Sequence, residues 1–269
     1  MSTVINHQTE TVAAIDLGSN SFHMIVARLE KSGTLSVIDR LRENVRLGGG
    51  LDDKRNISLS AQKRAFECLE TFAQRIRHLP RSCVRIAGTN TLRVAINAQA
   101  FVSKAEDILN HPIEIIEGRE EARLIYLGVA HDLATKDEKR LVVDIGGGST
   151  ELIIGQDMHS LRRESLYTGC VSASKRFFSN GEITESNLKA AELDAALILF
   201  PQSSGFLHKH WGEAIGCAGT IKAIAGIVHE QDWCLNGISY QSLQPVSYTH
   251  LRAHETRYTI SDAGLGVTT

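Results

Sequence analysis

Ala14-Ile15-Asp16-Leu17-Gly18-Ser19-Asn20-Ser21 and Val142-Val143-Asp144-Ile145-Gly146-Gly147-Gly148-Ser149 are two copies of one pattern, 144 − 16 = 128 residues apart. The register holds past the turn, where Met24-Ile25-Val26 falls on Leu152-Ile153-Ile154. Each copy reads as an apolar strand, an acid, a glycine-bearing turn, a serine and a second apolar strand. That pattern predicts a β-hairpin with a carboxylate at the end of its first strand. A second echo follows: Ile86-Ala87-Gly88-Thr89 returns as Cys217-Ala218-Gly219-Thr220, 218 − 87 = 131 residues later. The chain is therefore read as a duplication.

Working outward, residues 34–41 read as a third strand. Residues 60–77 form a helix with Ala61, Ala65, Cys68, Leu69, Phe72 and Ile76 on one face and Ser58 or Ser60 as cap. A strand at 84–87 precedes a helix at 97–109 that stops before Pro112; a strand at 113–116 and a helix at 120–130 complete the first half. Each half is expected to be a β-β-β-α-β-α-β-α unit. Two such α/β units side by side would form a cleft, with the hairpin loops facing across it. The charged stretch 136–139 divides them, giving a first lobe over 1–136 and a second over 137–243.

The composition narrows the function classes. Apolar residues make up 42% and charged residues 22%, as in an ordinary globule. Twenty-nine basic against 31 acidic residues leave a net charge of −2, so nothing global points to nucleic acid. Cys68, Cys83, Cys170, Cys217 and Cys234 are widely spaced, with no C-x-x-C pair. They fit reduced thiols of a cytosolic protein rather than a disulfide framework or a zinc site. The first residues show no signal-peptide pattern. No apolar run approaches the roughly 20 residues of a membrane span.

The loops suggest anion chemistry. Gly146-Gly147-Gly148-Ser149-Thr150 lets backbone N–H groups approach a phosphate closely, and Gly18-Ser19-Asn20-Ser21 does so less tightly. The competing reading is a tight turn that needs glycine for positive φ; the matched pair of loops, each with an acid beside it, favours phosphate. No G-K-[ST] follows, so neither is a P-loop. Asp16 and Asp144 either hold a hard cation or merely close their turns. Glu151 in the same hairpin favours the metal for Asp144. Glu120 and Glu121 enter a helix, where acids suit the dipole; the functional alternative is a general base. Arg93, at a strand-to-helix turn, is either a phosphate ligand or an exposed helix residue. His23 reads as a packing residue on its strand.

Five segments, in order, closely resemble the exopolyphosphatase and guanosine pentaphosphate phosphohydrolase family: residues 14–24, 88–93, 118–125, 143–151 and 218–223, together spanning about residues 12 to 235. The resemblance implies duplicated ribonuclease-H-like lobes of the actin-like ATPase superfamily. It implies that Glu121 is the catalytic base and that Asp144 and Glu151 hold Mg²⁺ (or Mn²⁺), with Asp16 as a further metal-side acid. Gly146, Gly147, Gly148 and Ser149 match the phosphate loop of the second lobe. Gly18, Ser19, Asn20 and Ser21 match that of the first, and Arg93 a phosphate-contacting arginine. It further implies a cytoplasmic protein, or one peripheral to the inner membrane, that is a homodimer at full length.

Two branches of that family compete for the substrate. Three consecutive glycines at 146–148 point to inorganic polyphosphate, whereas Leu124-Ile125-Tyr126 and Gly128-Val129-Ala130-His131 point to guanosine pentaphosphate. Weighed together, polyphosphate is expected first. A non-hydrolytic actin-like nucleotide-binding protein would lack the Glu120-Glu121-Ala122-Arg123 motif, and a sugar kinase would carry Asp-x-Gly-Thr loops. The repeat also measures the second lobe. Its last strand and helix are due near residues 241–251, but Pro245 to Thr256 has neither an apolar run nor a helical stripe. Residues 244–269 resemble a translated sequencing adapter. The second lobe is expected to be truncated, with exposed apolar surface, and the chain poorly soluble or inactive.

Overall fold

The computed structural model describes residues 10–133 and 137–246. It divides into two compact units, Met1–Glu121 and Ala122–Thr269. The division falls inside a helix rather than at the charged stretch; residues 134–136, beside the expected boundary, lie outside the described ones.

In the first unit, β1 (Glu10–Leu17), β2 (Phe22–Leu29) and β3 (Leu35–Glu43) run antiparallel, and β4 (Val84–Gly88) and β5 (Glu114–Ile115) add in parallel. The order across the sheet is β3-β2-β1-β4-β5. Alternation decides the faces: Ala13, Ile15 and Leu17 of β1 and Phe22, Met24 and Val26 of β2 are buried. Against that face pack α1 (Leu59–Ile76), the short α2 (Asn90–Val94) and α3 (Ala98–Leu109). The expected apolar stripe of α1 is buried throughout, and Ser58 Oγ accepts from the Ala61 N–H at its start. Asn110 ends α3 in the left-handed region, two residues before Pro112.

The opposite pleat corrects one expectation. His23 does not pack; it is exposed, directly across from the exposed Asp16. A strand residue between the buried Phe22 and Met24 would be buried only by a slip of register, and the apolar alternation forbids that slip.

In the second unit, β6 (Arg140–Ile145), β7 (Thr150–Gln156) and β8 (His159–Leu166) repeat the antiparallel trio, and β9 (Glu213–Cys217) adds in parallel to β6. The order β8-β7-β6-β9 is the first sheet's β3-β2-β1-β4. The duplication read from sequence is thus a duplication of topology. Among the described residues no strand takes the place of β5. Residues 240–246 are helical, and the expected foreign tail lies outside the described residues from 247 onward.

Between the two trios runs α4 (Gly118–Asp132). Ala122, Tyr126 and Ala130, four residues apart, lie on one helical face and pack against Val142 and Ile153. The Tyr126 hydroxyl donates to the Asp157 carbonyl at 3.1 Å. Arg140, 3% exposed, donates from Nε to Glu213 Oε2 at 3.0 Å and ties β6 to β9. The remaining helices are α5 (Cys170–Phe177), α6 (Glu185–Ser203) and α7 (Ala218–Glu230). No residue of α6 is buried, and Leu193, Leu197 and Phe200 are exposed.

Gly155 on β7 lies flat under the Tyr126 ring, and a Cβ there would overlap ring carbons. Gly155→Ala is therefore expected to destabilise the second unit by about 1–3 kcal/mol, the usual cost of overpacking. Denaturant unfolding would measure it, and Tyr126→Leu in the same chain should return most of the loss.

Candidate active site

The first hairpin turn is built so that its carbonyls are engaged and its amides are not. Ser19 O accepts from the Gly48 N–H at 2.8 Å, and Asn20 O from the Arg46 N–H at 2.7 Å. Ser21 Oγ donates to Asn44 Oδ1 at 2.9 Å, and Thr91 Oγ1 to Ser19 Oγ at 2.7 Å. The N–H groups of Ser19, Asn20 and Ser21 have no hydrogen-bond partner among the described residues.

The second turn reaches the same end by a different route. Gly146 N–H closes the turn on Ser149 O at 3.0 Å. The first amides of α5 then take the loop's carbonyls. Cys170 N–H donates to Gly146 O at 3.0 Å, and Val171 and Ser172 N–H to Gly147 O at 2.8 and 3.1 Å. The helix dipole of α5 is thereby applied to the loop. Gly147, Gly148 and Ser149 keep N–H groups with no partner among the described residues. Successive unmatched amides in a turn form an anion-binding concavity.

The glycines are not there for positive φ. The positive-φ glycines are Gly33, Gly181 and Gly237. A Cβ on Gly18 would stand 2.8 Å from Ser21 O, and one on Gly146 3.1 Å from Ser149 O. The tightness of the turn, not its handedness, excludes a side chain.

Beside the first loop, still within the first unit, lies a buried ion pair. Arg93 comes from α2 and Glu121 from the first turn of α4. Arg93 Nη1 donates to Glu121 Oε2 and to Ile116 O, both at 2.8 Å. The side chains are 8% and 16% exposed. Arg93 Nε and Nη2 are buried without a partner, as is Asn90 Oδ1. A buried donor left unmatched costs about 1–3 kcal/mol, so this arginine is half satisfied by the protein and has a fork left for an anion. Burial raises the Glu121 carboxyl above its ordinary range, while the hydrogen bond and charge of Arg93 pull it back down. Short contacts thus join Ser19 to Thr91, and Arg93, two residues on, to Glu121. The expected phosphate arginine and the expected base are neighbours.

In the second unit Asp144 and Glu151 are direct cross-strand partners on β6 and β7. Glu151 is 1% exposed and accepts from Ser165 Oγ at 2.8 Å. Like charges set directly opposite on a sheet repel, so this pair suits a cation. Cys217, opposite Asp144 on β9, is pushed up to about 11 by burial and by the Asp144 charge, against the pull of Lys222. Among the described residues no group of three or more such side chains is gathered for a metal. Two carboxylates are the donor set with which Mg²⁺ is commonly bound alongside phosphates. Asp16, the repeat's counterpart of Asp144, faces His23 rather than a second acid.

Sequence reading missed three parts of this site. Residues 44–50 buttress the first loop, and Gly48 is required there because a Cβ would sit 2.9 Å from Thr91 Oγ1. Thr91 itself carries the contact to Ser19. Gly169 lies under the second loop, where a Cβ would meet the Gly146 and Gly147 carbonyls at 2.6–2.7 Å. The Gly48-Gly49-Gly50 run was a visible signal for the first; nothing local marks Gly169.

The description "Ppx/GppA phosphatase family" fits residues 25–262 of this chain. The chain belongs to that family. The match runs past residue 243, where the sequence reading ended the second lobe. A guanosine-5'-triphosphate,3'-diphosphate pyrophosphatase of Pseudoalteromonas atlantica is 42% identical over 226 residues, 84% of this chain. The chain spans 44% of that relative's length, under half of it. An exopolyphosphatase from Cytophaga hutchinsonii has a similar structure, with a TM-score of 0.73 and 25% identity over 86% of this chain and 74% of that one. An Aquifex aeolicus PPX-GPPA enzyme follows at 0.66 and 26%, covering 83% and 72%. Membership of this phosphatase family makes phosphate release the activity to test, and the two sheets repeat one strand order.

Gly169→Ala tests the second loop. The added methyl should displace Gly146 and Gly147, weaken tripolyphosphate binding by about tenfold or more, as loss of a charge-assisted contact does, and leave the first unit's stability unchanged. Calorimetric titration would measure it.

Proposed function

We propose that this chain carries the catalytic lobes of a phosphohydrolase that removes the terminal phosphate of a phosphoanhydride chain, with guanosine pentaphosphate as first substrate. The observation that carries the chemistry is the buried Arg93–Glu121 pair beside a loop of unmatched amides. The substrate rests on the 42% identity to the guanosine-pentaphosphate-type relative, against 25% to the exopolyphosphatase. This reverses the order expected from sequence, which placed polyphosphate first. Polyphosphate is kept as the second reading because the structural neighbours include exopolyphosphatases.

Glu121 acts as the base. Its burial makes the carboxylate more basic than in water, and the hydrogen bond and charge of Arg93 favour its ionised form. It takes a proton from a water as the water oxygen bonds to the terminal phosphorus and the bridging P–O bond breaks. The leaving group is the shortened phosphate chain, which leaves as a stable anion, and orthophosphate is released. In the first unit the amides of Ser19 to Ser21, with the free fork of Arg93, donate to phosphate oxygens where charge builds, and in the second unit the amides of Gly147 to Ser149 are donors of the same kind. A Mg²⁺ or Mn²⁺ ion held by Asp144 and Glu151 would supply positive charge to phosphate oxygens, and Asp16 is the first unit's metal-side acid. The lobes are taken as 1–136 and 137–243, and the full-length protein as a cytoplasmic homodimer.

Glu121→Gln, assayed in this chain and in its genomic continuation, should lower kcat about 10²-fold with little change in KM. Unimpaired turnover would remove the assignment. The pH profile carries a sign. Protonation silences the base, so kcat/KM should fall as pH drops through a pKa above the ordinary 4.5 of Glu. Arg93→Met removes the cation that lowers that pKa, so the acid limb should move to higher pH. Asp144→Asn should raise the Mg²⁺ concentration needed for half activity, and full activity in excess chelator would refute a metal role. Phosphate release from guanosine pentaphosphate and from long polyphosphate, side by side, decides the substrate.

A further inference from the structure

We propose that Arg46 reads the substrate at the first phosphate loop: its guanidinium binds the phosphates that follow the terminal one in a phosphoanhydride chain. The inference rests on the functional reading above and extends it to a residue outside the motifs that suggested it.

Arg46 lies between Val45 and Leu47, which are 3% and 0% exposed and pin the segment into the core on both sides. Arg46 itself is exposed. Its backbone has φ 53°, the left-handed region that glycine or asparagine enters readily and a long side chain does not. Its N–H holds the Asn20 carbonyl at 2.7 Å, so the residue is bonded directly to the turn whose amides are unmatched. Asn44 and Gly48 on either side hold Ser21 and Ser19 of the same turn. The guanidinium forms no hydrogen bond or ion pair among the described residues.

A buttress needs only the amide, and glycine would supply it without strain. The guanidinium is exposed and makes no hydrogen bond or ion pair among the described residues, so its polar chemistry is left for a ligand. An exposed guanidinium carried on a residue bonded to the turn adds a cation to a row of unmatched amides, a step from a single phosphate to a chain of them. The ligand it takes is a linear phosphoanhydride, shared by polyphosphate and by the 5' triphosphate of a nucleotide.

The test uses this chain, with orthophosphate, tripolyphosphate and guanosine pentaphosphate titrated separately in a calorimeter. Arg46→Gly should weaken tripolyphosphate and guanosine pentaphosphate alike by about fivefold, the scale of one exposed ion pair, and leave orthophosphate unchanged. Arg46→Lys should recover most of the loss. The difference should shrink at high salt. The melting temperature of Arg46→Gly should be equal or higher, since glycine relieves the backbone. Equal tripolyphosphate binding by Arg46→Gly and the parent overturns the proposal. So does an equal loss on orthophosphate and tripolyphosphate, which would make the residue a buttress, and so does a loss confined to guanosine pentaphosphate, which would place the contact on the nucleoside. If the parent chain binds neither tripolyphosphate nor guanosine pentaphosphate, the functional reading itself falls, and this inference with it.

Discussion

A tight turn between two core strands has to match its polar backbone groups, and in both hairpins the matching is one-sided. The carbonyls of Ser19, Asn20, Gly146 and Gly147 accept from the protein, while the following amides have no partner among the described residues. Amides without an internal partner in a repeated turn are free to meet an anion. Much of the surrounding structure serves the carbonyl side of this arrangement. Residues 44–50 wrap the first turn, and the N-terminus of α5 is docked against the second. The glycines follow from the same demand, because side chains at Gly18, Gly48, Gly146 or Gly169 would press on those carbonyls or on the residues that hold them.

Charge is arranged around the turns with similar economy. The first unit places a cation and an acid together under burial, so that Glu121 is raised by desolvation and restrained by Arg93. The second places two acids on facing strand positions, and the charge of one of them, Asp144, reaches the Cys217 thiol. One arrangement is suited to moving a proton and the other to holding a cation. The two copies share a scaffold but differ at equivalent positions. His23 stands where the second copy has Glu151, and a turn of Gly-Ser-Asn-Ser stands where it has Gly-Gly-Gly-Ser.

The two copies also differ in what they bury. The first sheet rests on a continuous core reaching from β1 to α3, with Leu17, Phe22, Phe72 and Leu69 fully enclosed. The second has a small cluster centred on Tyr126 under α4, and the long α6 buries nothing among the described residues. Apolar area removed from water is the main source of stability, so the first unit is the firmer platform of the two.

The sequence by itself determined the duplication, the strand trios, the stripe of α1 and the family, because hydrophobic periodicity and a fixed offset are local properties that survive without coordinates. It also marked Glu121, Arg93, Asp144 and Glu151 as residues of interest. It misjudged His23, since one apolar neighbour on either side does not tell which pleat faces the core. Tertiary structure alone decided that Arg93 and Glu121, 28 positions apart, share a hydrogen bond. It alone decided that Thr91 reaches Ser19 across 72 positions, that Arg46 and Gly169 buttress the two hairpin turns, and that the glycines answer to crowding rather than to φ. Those facts depend on the direction in which a carbonyl or a side chain points after distant strands have paired, and no local pattern of residues encodes that direction.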